Sequence, residues 1–303
     1  MATLERNARD LIDEIGVYMG WDEVSGEDRD WCLLRLNEGY RRYLRGVFRD
    51  EAGIRHVHSW SFLMPTASII LWKTATGTMA TVGTAVTATA AAFHATMIGS
   101  TLKADTSGTE YTITAYTSTT VVTVDSAADA DDGDTFTVTS DGTNRLPSDW
   151  GGAISDPVYG PDEDDSTGLV ECTPEEMDAL HRDSDSVGTP DKWCVYPPSV
   201  ASTAQAWEVK VHPIPSEDKT IVWSYRRRVD ALTDSQSVYP AGGEDHTDTI
   251  LACALARAEY RKDHKAGDME IEAMVLLRDS AAIDRGMFSS TDEQETIGWE
   301  ADG

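Results

Sequence analysis

Two histidines one residue apart, His56 and His58, are the best-spaced candidate metal ligands in this chain. On a strand, residues i and i+2 share a face, so both imidazoles would point the same way. A zinc site needs further ligands. The nearby sequence supplies no evident third one, which makes an ordinary strand the rival reading. Asp129, Asp131, Asp132 and Asp134 suggest calcium, yet a loop of the EF-hand kind with Gly133 at its sixth position needs acids at 128 and 130. Both positions are alanine, which favours a solvated acidic turn over a weak, adventitious Ca²⁺ site. Neither GxGxxG nor GxxxxGK[ST] occurs, no serine stands in a GxSxG elbow, and no cysteine has a histidine beside it in sequence. Arg226, Arg227 and Arg228 close a strand-like run, as a strand end or a salt-bridging subunit contact would; a nucleic-acid patch needs more cations. These residues predict no cofactor, no metal and no catalytic constellation, and the chain reads as a binding or assembly protein, not an enzyme.

The elements that would position such residues fall into a helical start, a β-rich middle and a helical end. Leu4, Ala8, Leu11, Ile12, Ile15 and Met19 recur at helical spacing up to Gly20. Ser25 and Asp28 mark the start of a second helix running to about Gly46. Its apolar stripe is Leu33, Leu36, Tyr40, Tyr43, Leu44 and Val47, with Arg35, Arg41, Arg42 and Arg45 on its other faces. A short connection predicts that the two helices lie antiparallel. Ala67–Lys73 reads as a strand by its β-branched content.

From Thr74 to Thr143 the composition changes abruptly to Thr, Ala, Val and Gly, with Lys103 the single Lys or Arg. Thr and Val alternate with period two in Tyr111–Tyr116, Thr119–Asp125 and Thr135–Thr139. Phe93, Met97, Ile113, Val122, Val124 and Phe136 would fill one small barrel or sandwich. Asp149–Gly168 reads as an exposed linker. Thr173 with Pro174 opens a short helix. Trp193–Tyr196, Ala206–His212 and Thr220–Arg228 read as a short antiparallel meander. Asp248–His264 and Ile271–Ile283 are the last two helices, the first of them rich in alanine for close packing. The fold class expected is therefore α+β: an amphipathic helical bundle host (1–73 and 144–286) with a β meander, an inserted all-β domain (74–143) and a C-terminal arm (287–303).

The chain carries 25 Lys and Arg against 53 Asp and Glu, a formal net charge of −28. That opposes tight binding to DNA phosphates or anionic lipid. An acidic wall would instead let a polyanion slide past. No apolar run of about 18 residues predicts a membrane span, and no secretory signal is expected at the start. Cys32, Cys172, Cys194 and Cys253 read as buried free thiols of a protein made in a reducing cytoplasm.

Three stretches resemble the head–tail adaptor (connector) proteins of tailed bacteriophages. The first is ARDLIDEIG (Ala8–Gly16) followed by LLRLNEGYRRYLR (Leu33–Arg45). The second is GTPDKWCVYPP (Gly188–Pro198) leading through VKVHPIPSEDKTIVWSYRRRVDALTD. The third is TDTILACALARAEYRKD (Thr247–Asp263), entered through VYPAGGED. The inserted strands are similar to small β-barrels of phage structural proteins, although compact adaptors lack such an insert.

The resemblance implies a structural virion protein of the neck, made in the host cytoplasm. It would be a ring of roughly twelve copies under the portal that joins capsid to tail and lines part of the DNA channel. Implied partners are sister copies, the portal, a downstream neck or tail protein, and genomic DNA passing without sequence-specific binding; no membrane is implied. A ring closes through heterologous contacts, for which Leu36, Tyr40, Tyr43, Leu251, Leu255 and Ala258 are the expected helix-packing positions. Met287, Phe288, Ile297 and Trp299 would anchor the C-terminal arm on the portal. Other readings are a stopper or tail-tube-proximal component, or a host-surface carbohydrate-binding protein that would show exposed aromatics on the insert.

Overall fold

Asn7 and Asp10 open the first helix with reciprocal hydrogen bonds: the Asn7 side chain accepts from the Asp10 N–H at 3.1 Å, and the Asp10 carboxylate accepts from the Asn7 N–H at 3.4 Å. Helix α1 (Ala8–Met19) stops at Gly20, whose φ of 84° suits a residue without Cβ. The computed structural model describes residues 6–49, 52–161, 168–183, 186–197 and 206–288. Its architecture is α+β, and its contacts divide it into two compact units, Met1–Leu63 with Val229–Gly303, and Met64–Arg228.

In the first unit, α1 and α2 (Gly26–Leu44) are followed by a small hairpin, β1 (Val47–Arg49) and β2 (Arg55–Val57). Leu11, Ile12 and Ile15 of α1 meet Cys32, Leu36, Tyr40 and Tyr43 of α2 in one core. Trp60 lies against the Tyr43 ring at 4.5 Å and donates its indole N–H to the Tyr43 carbonyl at 2.8 Å. The Asn37 amide, buried, clamps the backbone of Leu232, donating at 3.0 Å and accepting at 2.8 Å.

The second unit begins with β3 (Thr66–Leu71) and enters a closed six-stranded barrel. Its strands are β4 (Thr74–Val82), β5 (Ala85–Ala88), β6 (Thr101–Ala104), β7 (Glu110–Ser118), β8 (Val121–Val124) and β9 (Thr135–Thr139). They close in the order β4-β5-β8-β7-β6-β9, every pair antiparallel. Alternation decides the interior: Leu102 and Ala104 of β6 and Phe136 and Val138 of β9 point in, with Lys103 and Thr137 between them facing outward. Phe93, Met97, Ile113, Val122, Val124 and Phe136 are all buried in that core.

After the barrel come β10 (Thr143–Arg145), β11 (Trp150–Ala153), β12 (Val158–Tyr159), β13 (Val170–Glu171), α3 (Pro174–Asp183), β14 (Val187–Gly188), β15 (Lys192–Tyr196), β16 (Glu208–His212), β17 (Ile214–Pro215) and β18 (Lys219–Arg227). The Thr173 hydroxyl accepts from the Glu176 N–H and opens α3 with Pro174 at its first position. Trp150, Trp193 and Trp223 stack edge to face at 4.7 Å in a core of their own. The chain then returns to the first unit through α4 (Thr247–Asp263) and α5 (Asp268–Phe288).

Two expectations change here. Trp193–Tyr196 and Ala206–His212 do pair antiparallel, as β15 and β16, but Thr220–Arg228 does not join them. Both edges of β16 are already taken, by β15 and β10, so β18 pairs with β3, β11 and β12 instead. By its contacts the stretch expected in the helical host at 64–73 and 144–228 falls in the same unit as the barrel. β3 enters the barrel and β18 lies beyond it, yet they pair over six residues, from Thr66↔Ser224 to Leu71↔Lys219.

Candidate functional site

The two histidines separate in role. His58 Nε2 lies 2.7 Å from the Asp284 carboxylate and edge-on to Trp60, whereas His56 is exposed and stacks on Phe48 at 5.5 Å. Ser61 gives Asp284 two further hydrogen bonds, from its N–H at 3.1 Å and from its hydroxyl. Among the described residues, no group of three or more His, Cys, Asp or Glu could hold a metal ion.

Asp284 fastens α5 to the segment after the hairpin. Burial pushes its carboxyl upward, but the bonds from Ser61 and His58 together outweigh that and hold it below its ordinary value. A carboxyl lowered on folding stabilises above its unfolded pKa, near 4, and the gain is lost as pH falls below that. Asp284→Asn is therefore expected to cost about 2 kcal/mol at neutral pH, because buried partners lose an ionised acceptor. The deficit against the parent chain should shrink below pH 4, and urea titrations at pH 7 and pH 3.5 measure it.

The acidic turn caps the barrel. The carboxylates of Asp129 and Asp132 accept from the Gly83 and Thr81 N–H groups at 2.6 and 2.9 Å, Asp131 accepts from the Tyr111 hydroxyl, and Asp134 accepts from Thr106. The insert shows no aromatic platform among its described residues: Phe93, Tyr111 and Phe136 are buried and Tyr116 is half-buried. Arg227 pairs with Asp149 at 3.0 Å, which pins the end of β18 to the start of β11.

All four cysteines are free and buried. Burial pushes the Cys32 and Cys194 thiols up to about 11 and Cys253 up to about 12, and raises Cys172. The thiolate is the nucleophile, so Ellman's reagent at pH 8 should label none of the four within minutes in the native chain. It should label all four after unfolding; one fast-reacting thiol in the native protein would contradict this burial.

The helix positions expected to pack between subunits lie inside one chain. Leu36, Tyr40, Tyr43 and Ala258 are buried in their own unit's core, and Leu251 and Leu255 are half-buried against it. The physical reason is that α2 and α4 of one chain are each other's neighbours. Gly39 of α2 meets the backbone of Ala254, so the apolar stripes of both helices are already satisfied. Of the expected arm anchors, Met287 and Phe288 belong to the last turn of α5, while Ile297 and Trp299 lie outside the described residues.

What the first unit does present is a cationic cleft of about 660 Å³. Three elements build it by their own periodicities. Glu38, Arg41, Arg42 and Arg45 stand at i, i+3, i+4 and i+7 on one face of α2, and Arg257, Tyr260 and Arg261 at i, i+3 and i+4 on α4. The hairpin adds Val47, Phe48, Arg49 and Arg55, and the start of α5 adds Glu270 and Met274.

Seven arginines thus face two glutamates, on a chain with a net charge of −28. Glu270 is spent on Arg42 through two bonds of 2.6 and 2.7 Å, and Glu38 on Arg35 at 2.6 Å with Arg261 at 3.5 Å. Arg41, Arg45, Arg55 and Arg257 have no ion pair among the described residues. Guanidinium groups held this way offer planar, bidentate donors to carboxylate or phosphate.

Sequence reasoning saw Arg41, Arg42 and Arg45 only as cover for the polar faces of a helix. Their spacing with Glu38 was visible, but the partners on α4 lie more than two hundred residues away. No protein-family model matches this chain, and no curated protein is significantly similar to it.

Proposed function

We propose that this chain is a non-enzymatic structural protein, a head–tail adaptor subunit that assembles into a ring of roughly twelve copies beneath a portal. In that role it joins capsid to tail and forms part of the channel through which the genome leaves. The observation that carries the proposal is the convergence of its family-like stretches on one cationic cleft. LLRLNEGYRRYLR supplies α2, and TDTILACALARAEYRKD is α4. The two helices pack together and hold four of the seven cleft arginines, with Arg45 at the end of α2 as a fifth.

The end of the remaining stretch, ALTD, joins them: Asp234 pairs with Arg9 of α1 at 3.0 Å and with Arg29 of α2. The Arg29 hydrogen bond holds the Asp234 carboxyl below its usual range. In this reading the four helices are the host, and the barrel is an elaboration carried outside the ring contacts. Copies with a charge of −28 repel one another over a Debye length of about 8 Å at physiological salt. A locally cationic surface is what allows them to join.

Electron microscopy of the purified chain, alone and mixed with a portal protein, tests the proposal. The expected result is closed rings of roughly twelve subunits, formed alone or on the portal. Monodisperse monomers under both conditions would overturn it.

A further inference from the structure

The arginine cleft presents guanidinium donors of the kind that take carboxylates, and the same chain carries an acidic segment. Residues 289–303, SSTDEQETIGWEADG, contain Asp292, Glu293, Glu295, Glu300 and Asp302 and no lysine or arginine. We infer that the cleft of one copy binds the acidic 289–303 segment of a second copy, so that each subunit gives an arm and receives one. This rests on the assembly reading above. It sends the arm to a sister copy, where the family resemblance would send it to the portal.

Charge complementarity is the first argument. Arg41, Arg45, Arg55 and Arg257 have no ion pair among the described residues, and their guanidinium groups can take carboxylates two oxygens at a time. Tyr260, nearly half exposed at the cleft, and Trp299 of the segment add an aromatic contact of the kind that dominates small interfaces. Reach is the second. Met274 lies at the cleft and α5 continues to Phe288, so the segment starts roughly 21 Å further along the helix axis. Its fifteen residues span up to about 50 Å when extended, enough to bridge to an adjacent subunit.

Symmetry is the third. A cationic cleft and an acidic arm on one chain are two different patches, as a heterologous, ring-closing contact requires. Nucleic acid is the less favoured occupant, because in an assembly the segment is tethered beside the cleft and meets it at high effective concentration.

Two variants of the full chain separate the possibilities. One ends after Phe288 and keeps the cleft without the arm. The other carries Arg45→Glu and Arg257→Glu and keeps the arm without the cleft, with Arg45→Gln and Arg257→Gln as a milder pair should charge reversal disturb folding. By light scattering at low salt, each variant alone should be a monomer, whereas their mixture should form a 1:1 dimer that dissociates at about 0.5 M salt. A labelled synthetic peptide of residues 289–303 should bind the arm-less chain and lose at least tenfold in affinity for the cleft variant.

Peptide binding without a mixed dimer would place the arm in its own chain's cleft and overturn the exchange. A labelled DNA duplex that outcompetes the peptide would overturn it in favour of nucleic acid. Unchanged rings after arm removal would overturn it while leaving the assembly proposal standing. A mixed 1:1 dimer from a chain that never forms rings would uphold the exchange and sink the ring.

Discussion

Gly39→Val is expected to destabilise the helical unit by about 3 kcal/mol. A Cβ at position 39 would lie 2.3 Å from the Ala254 nitrogen, 2.5 Å from its Cα and 2.7 Å from the Cys253 carbonyl carbon. These are backbone atoms in the middle of α4, so no rotamer change relieves the clash and the two helices must move apart. Overpacking of this sort costs about 1–3 kcal/mol, more when the obstruction is backbone. Around it lie Cys253, Leu36, Tyr40 and Tyr43, whose packing would loosen together. Gly39→Ala makes the sharper test, since alanine is favoured over glycine in a helix by about 1 kcal/mol. A urea midpoint for Gly39→Ala at or above that of the parent chain would show that α2 and α4 do not approach at this point. Because α2 and α4 also carry the cleft, both variants should weaken peptide binding.

Phe136→Ala is expected to cost about 3–5 kcal/mol, the usual range for deleting a fully buried phenyl ring. Phe136 is fully buried in the barrel and stacks on Phe93 with ring centroids 5.2 Å apart. Directly across the ladder stands Gly77, where an added Cβ would come within 3.1 Å of the Phe136 ring. The barrel has made room for this ring by removing a side chain opposite it, so its loss leaves a cavity that no neighbour is placed to fill. Tyr116→Ala, on the half-buried rim, should cost far less. Denaturant melts of the two variants give the comparison, and a loss below 1 kcal/mol for Phe136→Ala would mean that the barrel does not close around it.

Much of this was legible along the chain. Leu11, Ile12 and Ile15 announce α1, Gly20 ends it, and Thr173-Pro174 opens α3, because capping and amphipathic spacing are local properties. The barrel core from Phe93 to Phe136 was likewise legible, since period-two alternation assigns each residue to a face without reference to distant strands. The destination of β18 was not. WCVYP, AWEVKVHP and TIVWSYRRR look alike in sequence, and only the occupied edges of β16 exclude the third strand. Subunit-contact residues were not legible for a related reason: an apolar stripe shows that a surface will be covered, not whether its cover is the same chain or another.

By itself, then, the sequence determined the helices, three of the barrel strands, the acidic balance and the interior face of the barrel, all of which follow from short-range periodicity and composition; residues 149–168, which read as an exposed linker, instead hold β11 and β12 with Trp150 buried. Only the tertiary structure decided which strands are neighbours and that arginines of α2, α4 and the hairpin share one cleft. Residues 41 and 257 are independent in sequence and become neighbours because Gly39 lets α4 approach α2 at backbone distance. Seven like charges gathered in that space are a property of packing, which no window along the chain contains.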